Sequence, residues 1–191
     1  MNICIYGASS DNISAEYITA CEMLGREIAK RGHAIVFGGG ARGLMGAAAR
    51  GADNEGGTIT GVAPRFFDKE GILYPRCTEF IFTDTMRERK QIMENRSDAF
   101  IVMPGGIGTF EEFFEILTLK QLGRHSKAIC VFNINGYYDA ADDIFRHSVS
   151  EGFMSDSFFS LYSIFENPAD IIDYLEKYDP DAHQIELSKL R

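Results

Sequence analysis

"AFIVMPGGIGTFEEFFEILTLKQL", from Ala99 to Leu122, decides how this chain folds. It begins with an apolar run too short for a helix, breaks at Pro104 and a cluster of glycines, and resumes with apolar residues at helical spacing. Phe110, Phe113, Phe114 and Leu117 fall at i, i+3, i+4 and i+7, so a strand feeds a glycine loop, and the loop feeds a helix expected to bury those four side chains. The run "AFIVM" is apolar throughout, as a strand covered on both faces requires.

The same unit recurs on either side. "NICIY" ends at Gly7, and from Ser14 to Arg31 Ile18, Cys21, Leu24 and Ile28 keep helical spacing. "HAIVF" leads into "GGGARGLMGAAARGA"; "TITGVA" follows, then "TEFIFT" with "MRERKQIMENR". After the central unit come "KAICVFN" with a helical stretch around Asp142 to Ser150, and "LYSIFE" with "PADIIDYLEKY". This alternation predicts an α/β fold, a single-domain doubly wound (Rossmann-like) parallel sheet with helices on both faces. A chain of 191 residues suits one domain, expected over 1–178, with a polar C-terminal tail over 179–191. The longest irregular piece, "PRFFDKEGILYPRC" from Pro64 to Cys77, reads as a surface excursion near the site.

Composition narrows the function. With 45% hydrophobic and 25% charged residues this is the make-up of a soluble globular protein. The net charge of -9 argues against a nucleic acid polymer as partner, while leaving room for a small anion at a local basic cluster. No stretch reaches the apolar length of a membrane span, and the start lacks the basic segment of a secretory leader, so a cytoplasmic location and no membrane partner are expected. Cys4, Cys21, Cys77 and Cys130 form no CxxC pair and read as free thiols; His33, His125, His147 and His183 are scattered. Neither a metal nor a cofactor is expected.

Two glycine loops lie where an open parallel sheet binds ligands, beyond the carboxyl ends of strands. The first, "FGGGARGLMG", places Gly38, Gly40 and Gly43 in the dinucleotide spacing, but it follows the second strand, and the next strand ends in "GVAPR" without the acid that would hold a ribose hydroxyl. Tight packing of a turn and close approach of a small nucleotide both remain open for it. In the second, Gly105, Gly106 and Gly108 precede a helix expected to begin at Thr109, whose amino end suits a phosphate. Neither loop reads as a Walker sequence, so a monophosphate fits better than a triphosphate. Glu112, three residues after Thr109, can be a capping-box partner or a catalytic acid, and Glu111 is the alternative acid. Arg87, Arg89 and Lys90 crowd the first turns of another helix, against the dipole preference, with Thr85 and Glu88 as its capping box. Both helix starts can face one pocket.

The motifs "GGGARGLMG", "TDTMRERK" and "PGGIGTFEE", in this order and spacing, closely resemble the Lonely Guy (LOG) family of cytokinin riboside 5'-monophosphate phosphoribohydrolases, often mislabelled lysine decarboxylases. "YGASS" and "NINGYYD" add to the likeness, which runs to about Tyr178. The resemblance implies hydrolysis of the N-glycosidic bond of a nucleoside 5'-monophosphate, AMP or N6-prenylated AMP, to free base and ribose 5-phosphate. It implies Arg89 and Glu112 as catalytic residues, and Gly105, Gly106, Gly108 and Thr109 with Lys90 at the phosphate. Ser9, Gly39, Gly40, Met86 and Glu111 are implied as further nucleotide contacts. A homodimer with a shared active site is also implied, and Phe66, Phe67, Phe158 and Phe159 offer apolar surface for it. Where many members have a histidine two positions before the arginine this chain has Arg87, and where many have a tyrosine it has Ile107; base preference stays open at these two positions. A lysine decarboxylase of the pyridoxal phosphate type would need a Schiff-base lysine, and Lys90 beside two arginines suits an anion better. The competing reading is a non-catalytic binding protein for a phosphorylated, nucleotide-like ligand, similar to molybdenum cofactor carriers. An acid beside the phosphate seat favours chemistry.

Overall fold

A computed structural model describes residues 1–180. All seven strands are parallel: β1 (Asn2–Tyr6), β2 (Ala34–Phe37), β3 (Ile59–Pro64), β4 (Glu79–Thr83), β5 (Ala99–Val102), β6 (Ala128–Phe132) and β7 (Ser163–Phe165) form one sheet in the order β4-β3-β2-β1-β5-β6-β7. The chain winds outward from β1 to β4, returns to the centre at β5 and continues the other way. The β1/β5 junction is thus the reversal point, where loops on opposite faces diverge and leave a crevice.

Helices α1 (Ala15–Lys30), α2 (Gly43–Asn54) and α6 (Pro168–Lys177) cover one face; α3 (Met86–Asn95), α4 (Ile107–Gln121) and α5 (Asp139–Ser150) cover the other. The pleat divides each strand between the two cores. In β1, Ile3 and Ile5 pack under α1 and α2, whereas Cys4 and Tyr6 pack on the α3–α4 side. Burial on both faces is why the strands read as unbroken apolar runs. The expected doubly wound sheet is therefore present, and its short edge strand β7 carries only three residues.

Three expectations about elements need correction. α4 begins at Ile107, with Gly106 as N-cap, rather than at Thr109. The helix lies with Phe113, Ile116 and Leu117 buried, Phe114 44% exposed and Glu112 inward. Thr109, in the first turn, cannot then be the N-cap of a capping box with Glu112. Phe158, expected as interface surface, is buried against Phe145 and Tyr162, although Phe66 and Phe67 remain on the surface. Of the expected tail, residues 181–191 lie outside the described residues.

Between β3 and β4 the excursion contains only a short 3-10 turn, Arg65–Phe67, and is stitched to the loop after β2. Ala41 donates its amide to the Ile72 carbonyl at 2.9 Å, Tyr74 donates its amide to the Gly39 carbonyl at 2.8 Å, and the Tyr74 hydroxyl reaches the Asp53 carboxylate at 2.6 Å. These bonds hold the excursion over the carboxyl ends of the strands. Among the described residues no helix is long and apolar enough to cross a membrane.

Candidate active site

Above the reversal point opens a cavity of about 650 Å³. Its floor is the loop after β1 (Gly7 to Ser10) with Gly38 and Gly40; Met86, Arg89, Phe67, Ile72 and Leu73 form one side, Arg42 and Met45 another, and Gly106 to Thr109 with Glu112 the third. Of the residues singled out in the sequence, Ser9, Gly38, Gly40, Phe67, Met86, Arg89, Gly106, Ile107, Gly108, Thr109 and Glu112 line it.

Arg89 reaches the cavity because α3 is anchored at its start. The Glu88 amide donates to the Thr85 hydroxyl at 3.1 Å, while the Glu88 carboxylate accepts the Asp84 amide at 2.9 Å, so this capping box is present in slightly shifted form. One residue on, Arg89 turns into the protein, donates Nε to the Val62 carbonyl at 3.2 Å and Nη1 to Glu112 Oε1 at 2.6 Å, and is only 6% exposed. Its Nη2 lies against Gly38, where any Cβ would overlap it. Glu112, 8% exposed, is held by this charge-assisted bond. Burial pushes its carboxyl above the usual range, and the Arg89 guanidinium opposes the shift. The result is a dry acid whose ionised form depends on one arginine.

The glycine loop beside it is braced from behind. Tyr137 donates its hydroxyl to the Gly105 carbonyl at 2.6 Å, Tyr138 donates to the Met103 carbonyl at 2.8 Å, and the Ala8 amide binds the Pro104 carbonyl at 3.0 Å. "NINGYYD" therefore works as a strut, with Asn133 bonding both the Tyr138 amide and Asp139. Gly105 lies behind the lining and packs on the Thr109 hydroxyl. In front, the first-turn amides of α4 at Ile107, Gly108 and Thr109 have no acceptor within the helix and open on the cavity. Such an end attracts an anion.

The other glycine loop is different. The Gly43 amide is spent on Asp11 Oδ1 at 2.8 Å, and the Leu44 amide on the Ala8 carbonyl at 2.8 Å. Gly43 has φ +59°, and a side chain there would overlap the Ala8 carbonyl oxygen, so the third glycine of the dinucleotide spacing serves close packing of α2 on the β1 loop. Of the two readings left open, tight packing describes this end of the loop, and of its glycines Gly38 and Gly40 line the cavity.

Lys90 and Glu111 lie outside the cavity lining of this chain. Lys90 stands about 100° around α3 from Arg89 and forms ion pairs with Glu111 and, at 2.9 Å, with Glu115. Both belong to a strap tying α3 to α4 outside the cavity lining. Gly39 also leaves the lining, its φ of +76° aiming its carbonyl at Tyr74. Arg87 is not in the lining, whereas Ile107 is, at 86% exposed. Missed in the sequence were Gly38 as the seat of Arg89, the tyrosine strut, and Arg42, Met45, Phe67, Ile72 and Leu73 as walls; the signals present were the glycine spacing, the likeness at "NINGYYD" and the length of the excursion. Among the described residues no group of His, Cys, Asp or Glu is gathered to hold a metal ion.

Comparison with known proteins places the chain among relatives. Residues 45–175 match the family described as "Possible lysine decarboxylase". The chain is 35% identical over 188 residues to the probable cytokinin riboside 5'-monophosphate phosphoribohydrolase LOGL5 of Oryza sativa subsp. japonica, covering 98% of this chain and 76% of that protein. It is 34% identical over 188 residues to the cytokinin riboside 5'-monophosphate phosphoribohydrolase LOG2 of Arabidopsis thaliana, covering 98% and 88%. In fold it is similar to the molybdenum cofactor carrier protein of Chlamydomonas reinhardtii, with TM-score 0.70 and 23% identity over 92% of this chain and 96% of that one. No lysine lines the cavity among the described residues, so the site lacks the Schiff-base residue a pyridoxal phosphate decarboxylase would need.

Proposed function

We propose a reaction for a chain that belongs to the Lonely Guy (LOG) family of cytokinin riboside 5'-monophosphate phosphoribohydrolases: it hydrolyses the N-glycosidic bond of a nucleoside 5'-monophosphate, releasing free base and ribose 5-phosphate. The observation that carries this reading is the buried Arg89 and Glu112 pair beside an open helix end in one cavity.

The phosphate sits on the amides of Gly108 and Thr109 and of the loop at Gly106, held in place by Gly105 and its tyrosine strut. The ribose then lies over Glu112, one turn into the same helix. As the C1'–N bond lengthens, positive charge gathers on the sugar ring, and the ionised Glu112 stabilises it and orients a water toward C1'. The water supplies hydroxide to C1' and a proton that balances the departing base, which leaves with the bonding electrons. Arg89 keeps Glu112 in place and ionised despite burial. AMP and N6-prenylated AMP are the substrates this family reading names. Ser9, Gly40 and Met86 line the remainder of the nucleotide site.

The same reading treats 1–178 as one functional domain, places the protein in the cytoplasm, and makes it a homodimer whose partner completes the mouth of the site near exposed Phe67 and Ile107. The carrier alternative is supported by a likeness of fold, whereas phosphate capture alone has no use for the buried acid.

The test is to incubate the purified protein, free of added metal, with AMP and with N6-prenylated AMP and to follow base and ribose 5-phosphate by chromatography, beside Arg89→Ala and Glu112→Gln. Release that both substitutions reduce by orders of magnitude supports the reading. Saturable nucleotide binding without release in the unaltered protein would favour a carrier.

A further inference from the structure

Among the described residues lining the cavity only Arg42, Arg89 and Glu112 bear charge, and the last two neutralise each other. Arg42 is the exception that the proposed reaction leaves unused. It stands just before α2, makes no side-chain cap, and its charged neighbour is Asp11 at 3.7 Å. Both side chains of that pair are largely exposed, 68% and 61%, so the contact is readily exchanged for a ligand. Asp11 moreover has its other oxygen on the Gly43 amide and stays fixed if Arg42 moves.

Position indicates what Arg42 meets. If the phosphate takes the α4 amides and the ribose takes Glu112, the base must lie against the remaining lining, to which Met45, Phe67, Ile72, Leu73 and Met86 contribute with Arg42. Those five side chains can clasp the faces of a flat ring but cannot read its edge. The nearby Ala41 amide is already committed to Ile72. Arg42 alone offers a fork of N–H donors, and a guanidinium has no acceptor. A 6-oxopurine presents two adjacent acceptors, O6 and N7, that match the fork; adenine pairs the N7 acceptor with an N6 donor.

Resting on the phosphoribohydrolase reading, we propose that Arg42 is a specificity-determining residue giving this site activity toward 6-oxopurine nucleotides, inosine and guanosine 5'-monophosphates, in addition to adenine nucleotides. In the reaction the C1'–N9 electron pair passes into the purine, and a guanidinium at O6 and N7 stabilises the departing anion until it takes a proton from water.

The experiment measures kcat/KM for inosine 5'-monophosphate and AMP in the unaltered protein, Arg42→Met and Arg42→Lys. The inosine-to-adenine ratio is expected to fall about tenfold in Arg42→Met, as for loss of one bidentate base contact, with only part regained in Arg42→Lys. An unchanged ratio, even with both substrates slowed together, would mean a general attraction for phosphate and would overturn the proposal. Calorimetric Kd values for the same two nucleotides, in Glu112→Gln with and without Arg42→Met, read that ratio without turnover. Absent turnover with a responsive Kd ratio would sink the hydrolase reading alone; turnover with an unresponsive ratio would sink the role of Arg42 alone.

Discussion

The two glycine loops look alike in sequence and do opposite work. "FGGGARGLMG" and "MPGGIGTFEE" each join a buried strand to a helix on the same edge of the sheet. At α2 the first amides are consumed by Asp11 and Ala8, and Gly43 exists so that backbones can touch. At α4 nothing approaches Gly106 or Gly108, while the loop behind them is clamped by Tyr137 and Tyr138. A glycine loop binds an anion only if the protein has not already satisfied its amides. Spacing alone cannot say which has happened.

The largest effect expected from this contrast comes where the first loop touches the chemistry. Gly38→Ala places a methyl group on the Arg89 guanidinium and should push it off Glu112, lowering kcat about 100-fold with the sheet intact by circular dichroism. Near-normal turnover would show that the Gly38 contact does not position Arg89.

Next in size is a paired substitution. Gly43→Ala, forced against the Ala8 carbonyl at positive φ, should cost about 2–3 kcal/mol of stability in urea unfolding. Gly108→Ala meets nothing within 4 Å and sits in a helix, so its stability should hold or rise by up to about 1 kcal/mol while nucleotide KM responds. Equal destabilisation by both would erase the distinction.

Smaller again is the strut. Tyr137→Phe removes the bond to the Gly105 carbonyl, worth about 1 kcal/mol, and should raise KM for the nucleotide roughly fivefold with little change in kcat. A fall confined to kcat would place Tyr137 elsewhere in the mechanism.

The smallest effect is on pH dependence. On the proposed reaction Glu112 acts ionised, so activity is expected to be lost as pH falls through its pKa, and because burial raises that pKa the loss should begin above the ordinary carboxylate range. In Arg89→Met the opposing charge is gone, and the acid limb of the residual activity should move further upward. The sign for stability is the reverse of the usual acid case: the native state holds the proton more tightly than the unfolded one, so this group's contribution declines as pH rises between the two pKa values. A limb at the usual carboxylate range in both proteins would refute the assignment.

Strand and helix identities were legible because β1, β5 and β6 are apolar on both faces, a pattern only a covered parallel sheet supports. The rotation of α4 was not. The helix starts at Ile107 with Gly106 as N-cap, and the stripe it buries, Thr109, Glu112, Phe113, Ile116, Leu117 and Lys120, includes three polar residues, so a count of apolar spacings places Phe114 inside and Glu112 outside. Arg89 and Lys90 are adjacent in sequence, yet one is buried on Glu112 and the other is taken up by Glu111 and Glu115. Their separation depends on where α4 lies against α3, which is tertiary information.

In the proposed reaction the α4 end holds the nucleotide and the acid one turn later breaks it. Calorimetric titration of AMP into Glu112→Gln, beside its rate of base release, tests this most directly. Saturable binding close to that of the unaltered protein is expected, with release reduced about 10²–10⁴-fold. Loss of binding together with release, or release that persists, would contradict it.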